Sequence, residues 1–161
     1  MTPNRLAGVS SELLAGLSAE QCARLGDVGT EVRLSRNESL LTFGTEARSL
    51  YLIRAGELEL TFPLMVMGEK KEVRFQLLGP GRAVAWSALV PPHQLTMSAR
   101  ATADTTLVAF AREPLQALMA KDAQLALILV SNIAKIIGGR LQEVQSLWVR
   151  EVQRNVSETY R

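Results

Sequence analysis

The sequence predicts a mainly β fold with flanking helices: an antiparallel, jelly-roll-like β-roll, then a short helix near residue 86 and a long C-terminal helix. Three observations carry this. Apolar residues recur with period two between Glu31 and Ala111, glycine and asparagine punctuate that region at short intervals, and a helical period takes over after Ala111. Residues 1–30 are assigned to N-terminal helices, 31–111 to the roll and 112–161 to C-terminal helices, all within one domain of 161 residues.

Leu13, Leu14, Leu17 and Leu25 lie at helix-like intervals, and Ser18-Ala19-Glu20-Gln21 has the form of a capping box, so two short helices are expected over residues 10–26. In the roll, Leu58, Leu60 and Phe62 alternate with Glu57, Glu59 and Thr61, and Val73, Phe75 and Leu77 alternate with Glu72, Arg74 and Gln76. Each run predicts a strand with one wet face, and Met67-Gly68-Glu69-Lys70 supplies the turn of an antiparallel hairpin. Further strands are expected near Leu40–Phe43, Ser49–Ala55, Leu95–Ala103 and Thr106–Ala111, with turns at Asn37, Gly44, Gly56 and Gly79-Pro80-Gly81. Pro114 suits a first helical turn, and Asp122 is placed to cap a long helix from Ala123. Gly138-Gly139 costs that helix about 1 kcal/mol per glycine relative to alanine, and a bend or close helix approach is expected there.

Composition excludes several classes. The chain is 47% hydrophobic and 21% charged with a net charge of +2, which a packed core accommodates and a disordered polyelectrolyte does not. One cysteine, Cys22, rules out an intrachain disulfide framework and a cysteine-cluster metal site, in keeping with a reducing cytoplasm. Met1-Thr2-Pro3-Asn4-Arg5 has no basic segment leading into a long apolar run, so no secretion signal and no membrane span are expected. A catalytic assembly is not expected either: with one histidine and one cysteine, and Ser87 in no nucleophile context, the reading is a non-enzyme with no catalytic residue and no metal.

The order of Leu13–Gln21, Asn37-Glu38-Ser39-Leu40-Leu41, Phe43-Gly44-Thr45-Glu46-Ala47, Ala55-Gly56-Glu57-Leu58, Leu77-Leu78-Gly79-Pro80-Gly81 and Ser98-Ala99-Arg100-Ala101 resembles the cyclic nucleotide-binding domain of the catabolite-activator and fumarate–nitrate-regulator superfamily. The resemblance runs from about Leu13 to Trp148. It implies a ligand cassette after Pro80-Gly81, in which a short helix holds a cyclic phosphate on its amides, a glutamate binds the ribose and an arginine before the next strand pairs with the phosphate.

Transferred by position, the family-equivalent ligand residues are Val84, Ala85, Trp86, Ser87, Ala88, Leu89, Leu95 and Thr96. Val84-Ala85-Trp86 stands where the family keeps Phe-Gly-Glu, and Leu95 stands at the place of the arginine, so both polar anchors are missing. A phosphate there would keep its desolvation cost without its guanidinium partner, which disfavours cyclic AMP or cyclic GMP as ligand. No cofactor is assigned. Substitute anion anchors are Arg82, Arg100 and Arg140, with strand alternation turning Arg100 outward and the long helix making Arg140 a flanking charge of a helical seam. Trp86 either fills the vacated cavity, the preferred reading, or walls a pocket for an apolar effector, with Val84, Leu89, Leu95 and Met97 nearby. Haem-sensing relatives single out His93 as an axial-ligand candidate, against the simpler reading of a loop histidine after Pro91-Pro92.

Ile133, Ile137, Leu141, Val144 and Trp148 follow spacings of four, four, three and four, continuing to Val152, and predict a homodimer seam along the long helix. Relatives that are transcription factors place a helix-turn-helix domain after that helix; the sequence given stops at Arg161, and its basic residues alternate with acids, so direct DNA binding is not expected. The functional expectation is a stand-alone cytoplasmic sensor or regulatory domain acting through dimer or partner contacts. Its competitors are a ligand-free protein interaction module and a sensor of cyclic nucleotide, haem or an apolar effector.

Overall fold

The computed structural model describes residues 5–159; Met1–Asn4, on which the expectation of no leader partly rests, and residues 160–161 lie outside the described residues. The elements are α1 (Ala19–Val28), β1 (Gly29–Leu34), β2 (Ser39–Leu41), β3 (Ser49–Ala55), β4 (Leu58–Val66), β5 (Glu69–Leu78), β6 (Ala83–Val84), a 3-10 turn (Trp86–Ala88), β7 (Ser98–Ala101), β8 (Thr105–Ala111), α2 (Arg112–Lys121) and α3 (Ala123–Thr159). Two four-stranded antiparallel sheets form the roll, in the orders β1-β8-β3-β6 and β2-β7-β4-β5.

Neighbours in a strand face opposite ways, so full burial of Leu52 beside Ile53 in β3, and of Leu107 beside Val108 in β8, means these central strands are covered on both faces. The strand between Ser49 and Ala55 falls where the sequence placed it, and β8 begins one residue earlier than expected. The β4–β5 hairpin is longer than expected: Met67 and Gly68, both at positive φ, form a two-residue turn. Gly81 has φ +85, and an added Cβ would lie 2.5 Å from the Ser10 carbonyl oxygen, so only glycine lets the chain enter β6 against the N-terminal segment.

Several expectations are corrected. Residues 12–16 are turns, leaving α1 as the single helix of that region; its Ser18–Gln21 capping box is formed in both directions. β1, which carries only Val32 and Leu34 as large apolar residues, was not assigned from sequence and is defined by its pairing with β8. β4 does not have a plain wet face: a register shift between Leu60 and Thr61 accompanies burial of Glu59 and Thr61. In β5, Val73 and Leu77 are exposed instead of forming an inner face.

α3 runs without interruption through Gly138-Gly139, and a Cβ at either glycine would meet nothing within 4 Å, so neither a break nor a close approach within this chain occurs there. Asp122 caps the helix through the Leu125 amide at 2.9 Å. Asn132 donates to the carbonyls of Leu13 and Ala15 at 2.9 and 2.8 Å, tying α3 to the N-terminal turns. By length and composition α3 could cross a bilayer, with an 18-residue window of mean hydropathy 1.3, yet a third of that window is buried in this protein's own interior.

Glu59 shows how the outer face of the second sheet is held. Its carboxylate accepts from Arg74 at 2.7 Å and Arg100 at 2.9 Å, and these bonds lower its pKa, Arg100 first. A folded-state pKa below the unfolded value of about 4.3 means stability present above that pH and lost as pH falls through the folded pKa. Thermal melts of wild type and Glu59→Gln should therefore differ most at neutral pH, with wild type the more stable, and converge only as pH falls through the folded pKa, below the unfolded value of about 4.3. A constant gap across that range would show that the carboxylate's charge is not what matters.

Candidate functional site

β6 enters the site held from two directions. Glu12 Oε1, in the N-terminal turns, accepts from the Ala83 amide at 3.3 Å and from Arg82 Nε at 3.1 Å. On the other side, Arg140 Nη2 of α3 donates to the Ala83 carbonyl at 2.8 Å. One residue's N–H and C=O are thus shared between the N-terminal segment and the long helix. After Val84 the chain turns at Ala85, whose φ of 62 is left-handed, and continues into the 3-10 turn Trp86–Ala88. The cassette helix expected from sequence is only this three-residue turn.

A small cavity of about 10 Å³ lies between the cassette, the roll and α3, lined by Leu41, Leu60, Val84, Ala85, Trp86, Ser87, Leu95, Thr96, Met97 and Arg140. Of the ligand residues proposed from sequence, Val84, Ala85, Trp86, Ser87, Leu95 and Thr96 line it; Ala88 is fully buried and Leu89 half-buried in the core beside it. Trp86 is half-buried and packs against the core. The space that remains is about that of one water, against roughly 300 Å³ or more for an ordinary small-molecule pocket.

The three candidate anchors separate cleanly. Arg82 is spent on Glu12, and Arg100 faces outward onto Glu59 while its neighbours Ala99 and Ala101 face the core. Arg140 reaches the cavity. The sequence reading made it a flanking charge of the seam; instead it is 8% exposed, and its Nε–H is buried with no acceptor among the described residues. Burial pushes its pKa down, opposed by the charges of Glu12 and Glu143. A guanidinium has so high a starting pKa that it stays charged at neutral pH. The spacing Leu129, Ile133, Ile136, Arg140 on the inner face of α3 was the signal that would have found it.

His93 is not among the cavity residues; its Nδ1–H donates to the Ser87 carbonyl at 3.0 Å, and its backbone, at φ 59, accepts from the Ala47 amide. It therefore braces the loop after the cassette. Among the described residues no group of three or more His, Cys, Asp or Glu side chains is placed to hold a metal ion.

Between α3 and β5 lie two open grooves that the sequence did not reveal. One, of about 500 Å³, runs between Phe75 and Gln76 of β5 and Gly139, Glu143 and Leu147 of α3. The other, about 290 Å³, is apolar, with Phe43, Phe62, Phe75, Val144 and Leu147 among its walls; Phe62 and Phe75 meet edge to face at 5.5 Å. A hydrogen bond from Gln76 to Glu143, 3.3 Å, bridges β5 to the helix.

Roll, cassette turn and long helix define a regulatory nucleotide-binding type of module, and the sequence agrees. Residues 31–122, more than half of the chain, match the family model of the cyclic nucleotide-binding domain, and the chain belongs to that family. No curated protein matches it. Among solved structures it is similar to the catabolite activator protein of Thermus thermophilus, at 24% identity and a TM-score of 0.74. That match covers 89% of this chain and 63% of the other, so this chain spans less than two thirds of that relative. A cyclic nucleotide-binding domain from Methylobacillus flagellatus KT gives 19% identity and a TM-score of 0.75, covering 83% and 74% of the two chains. The N-terminal domain of a transcriptional regulator from Streptomyces coelicolor A3(2) gives 24% and 0.68, covering 86% and 92%.

Calorimetric titration of the purified protein with cyclic AMP and cyclic GMP should give no saturable heat at micromolar concentrations, and neither should raise the melting temperature. A ligand at about 100 times its Kd would add roughly 2.7 kcal/mol of stability, so micromolar binding is readily seen. Saturable binding would show that the cavity opens to the family's ligand.

Proposed function

We propose that this chain is a non-enzymatic, cytoplasmic regulatory domain, one unit from end to end, that works through self-association along α3 and does not read cyclic AMP or cyclic GMP. The observation that carries this reading is the helix's second apolar face. Leu125, Leu129, Ile133 and Ile136 are buried in the chain's own core, and Ile137 is half-buried against it. Ile133 and Ile137, assigned to the seam from sequence, therefore serve the interior first.

The face turned the other way is open. At about 100° per residue, Leu127, Val130, Leu141, Trp148 and Val152 fall within roughly 40° of one line, and all are exposed. Ala134 and Gly138 lie on or beside that line, where small side chains permit close approach of a second helix. Val144 stands at its edge. An exposed apolar stripe this continuous marks an interaction surface, and its regular repeat of three and four residues is self-complementary under a two-fold axis. Regulation then consists of altering how α3 sits on the roll, which moves the seam or a partner surface.

The small volume of the cavity favours a second reading, a ligand-free protein interaction module whose former pocket has become core. Both readings dispense with DNA contact by this domain. Light scattering after size exclusion should give wild type about twice the 17.6 kDa chain mass, and Leu141→Asp with Trp148→Asp should return it to one chain mass with its melting transition kept. A monomeric wild type would remove self-association and leave the interaction module.

A further inference from the structure

Met67 occupies a place that neither burial nor backbone preference explains. It opens the two-residue turn between β4 and β5 at φ 52, a left-handed conformation that asparagine or glycine adopts at less cost. Its side chain is fully exposed, so an apolar residue there gains nothing from packing. Met65, two residues earlier, is 70% exposed. The other methionines among the described residues differ: Met97 and Met119 are half-buried and pack against the core. The exposed thioethers are thus confined to one hairpin tip.

We infer that the tip of the β4–β5 hairpin is a reversible oxidation site, at which a hydroperoxide converts Met65 and Met67 to sulfoxides. A sulfur lone pair attacks the outer peroxide oxygen, and the S–O bond forms as the O–O bond breaks. The proton on the transferred oxygen passes to the departing one, which leaves as water when the oxidant is hydrogen peroxide. Sulfur gives up two electrons and the peroxide takes them. A thioether needs no ionisation to react, so access selects the tip. Lys70, directly across the ladder from Met65 and in no ion pair among the described residues, is placed to donate to the new oxygen. Neither tip side chain belongs to the core, so the fold carries both sulfoxides; one at Met97 would instead put a polar oxygen beside Leu60, Trp86 and Leu95. Return to the thioether takes a dithiol as reductant, which becomes a disulfide while the oxygen leaves as water. Leu64 and Val66 are exposed on the same tip, so oxidation switches that surface between apolar and polar. The tip lies off the α3 stripe, and this inference goes beyond the self-association reading and holds or fails separately from it.

The test treats the full chain with dilute hydrogen peroxide and locates each added oxygen by peptide mass mapping. Met65 and Met67 should react about tenfold faster, or more, than Met97 and Met119. The species carrying two oxygens should keep the wild-type melting transition and elute earlier from a phenyl column. Methionine sulfoxide reductases of both epimer specificities, with dithiothreitol, should restore its mass and elution. Met65→Leu with Met67→Leu should lose both the fast phase and the elution shift. Equal rates at the tip and at Met97 or Met119, a lowered melting temperature at the two-oxygen stage, an unmoved elution, or a mass the reductases do not restore would each overturn the site. Should the leucine variant fail to fold, the site-resolved rates in the wild type still decide.

Discussion

Ala83 is the residue through which the parts of this protein hold one another. Its amide is fixed by Glu12 and its carbonyl by Arg140, and it pairs with Leu52 of β3. The N-terminal turns, the central sheet and the long helix therefore share one peptide. Because Gly81 presses against the Ser10 carbonyl just upstream, the chain has little freedom in how it arrives there. The direction of α3 follows from that anchorage together with the two bonds of Asn132 to the N-terminal turns.

The same arrangement explains why the cavity is small. Trp86 and Leu95 put large apolar groups into the site, and Val84 and Leu60 complete the packing. One positive charge, that of Arg140, reaches the site from α3.

Much of the architecture is legible in the sequence, for identifiable reasons. Ser49–Ala55 is bounded by turns and dense in apolar residues, and the Asp122 cap and the Ser18–Gln21 capping box are local chemistry. β1 is not legible, because Gly-Thr-Glu-Val-Arg-Leu has little pattern until β8 lies beside it. Glu59 looks like a solvent residue until Arg74 and Arg100 arrive from neighbouring strands. Trp86 and Leu95 are legible as large apolar groups by position, but the burial of Arg140 depends on the helix's angular orientation. Spacing alone allows two apolar faces on α3, and the seam first assigned mixes them: Ile133 belongs to the buried one, Leu141 and Trp148 to the other.

The unbroken passage of α3 through Gly138-Gly139 has a mechanical consequence. About 20 residues follow the pair within the described helix, a rod of roughly 30 Å at 1.5 Å per residue. Two successive residues without side chains make the most compliant point of that rod, and it lies next to Arg140. A tilt of only about 10° there would carry the far end through roughly 5 Å, turning a sub-ångström event in the pocket into a displacement of side-chain size.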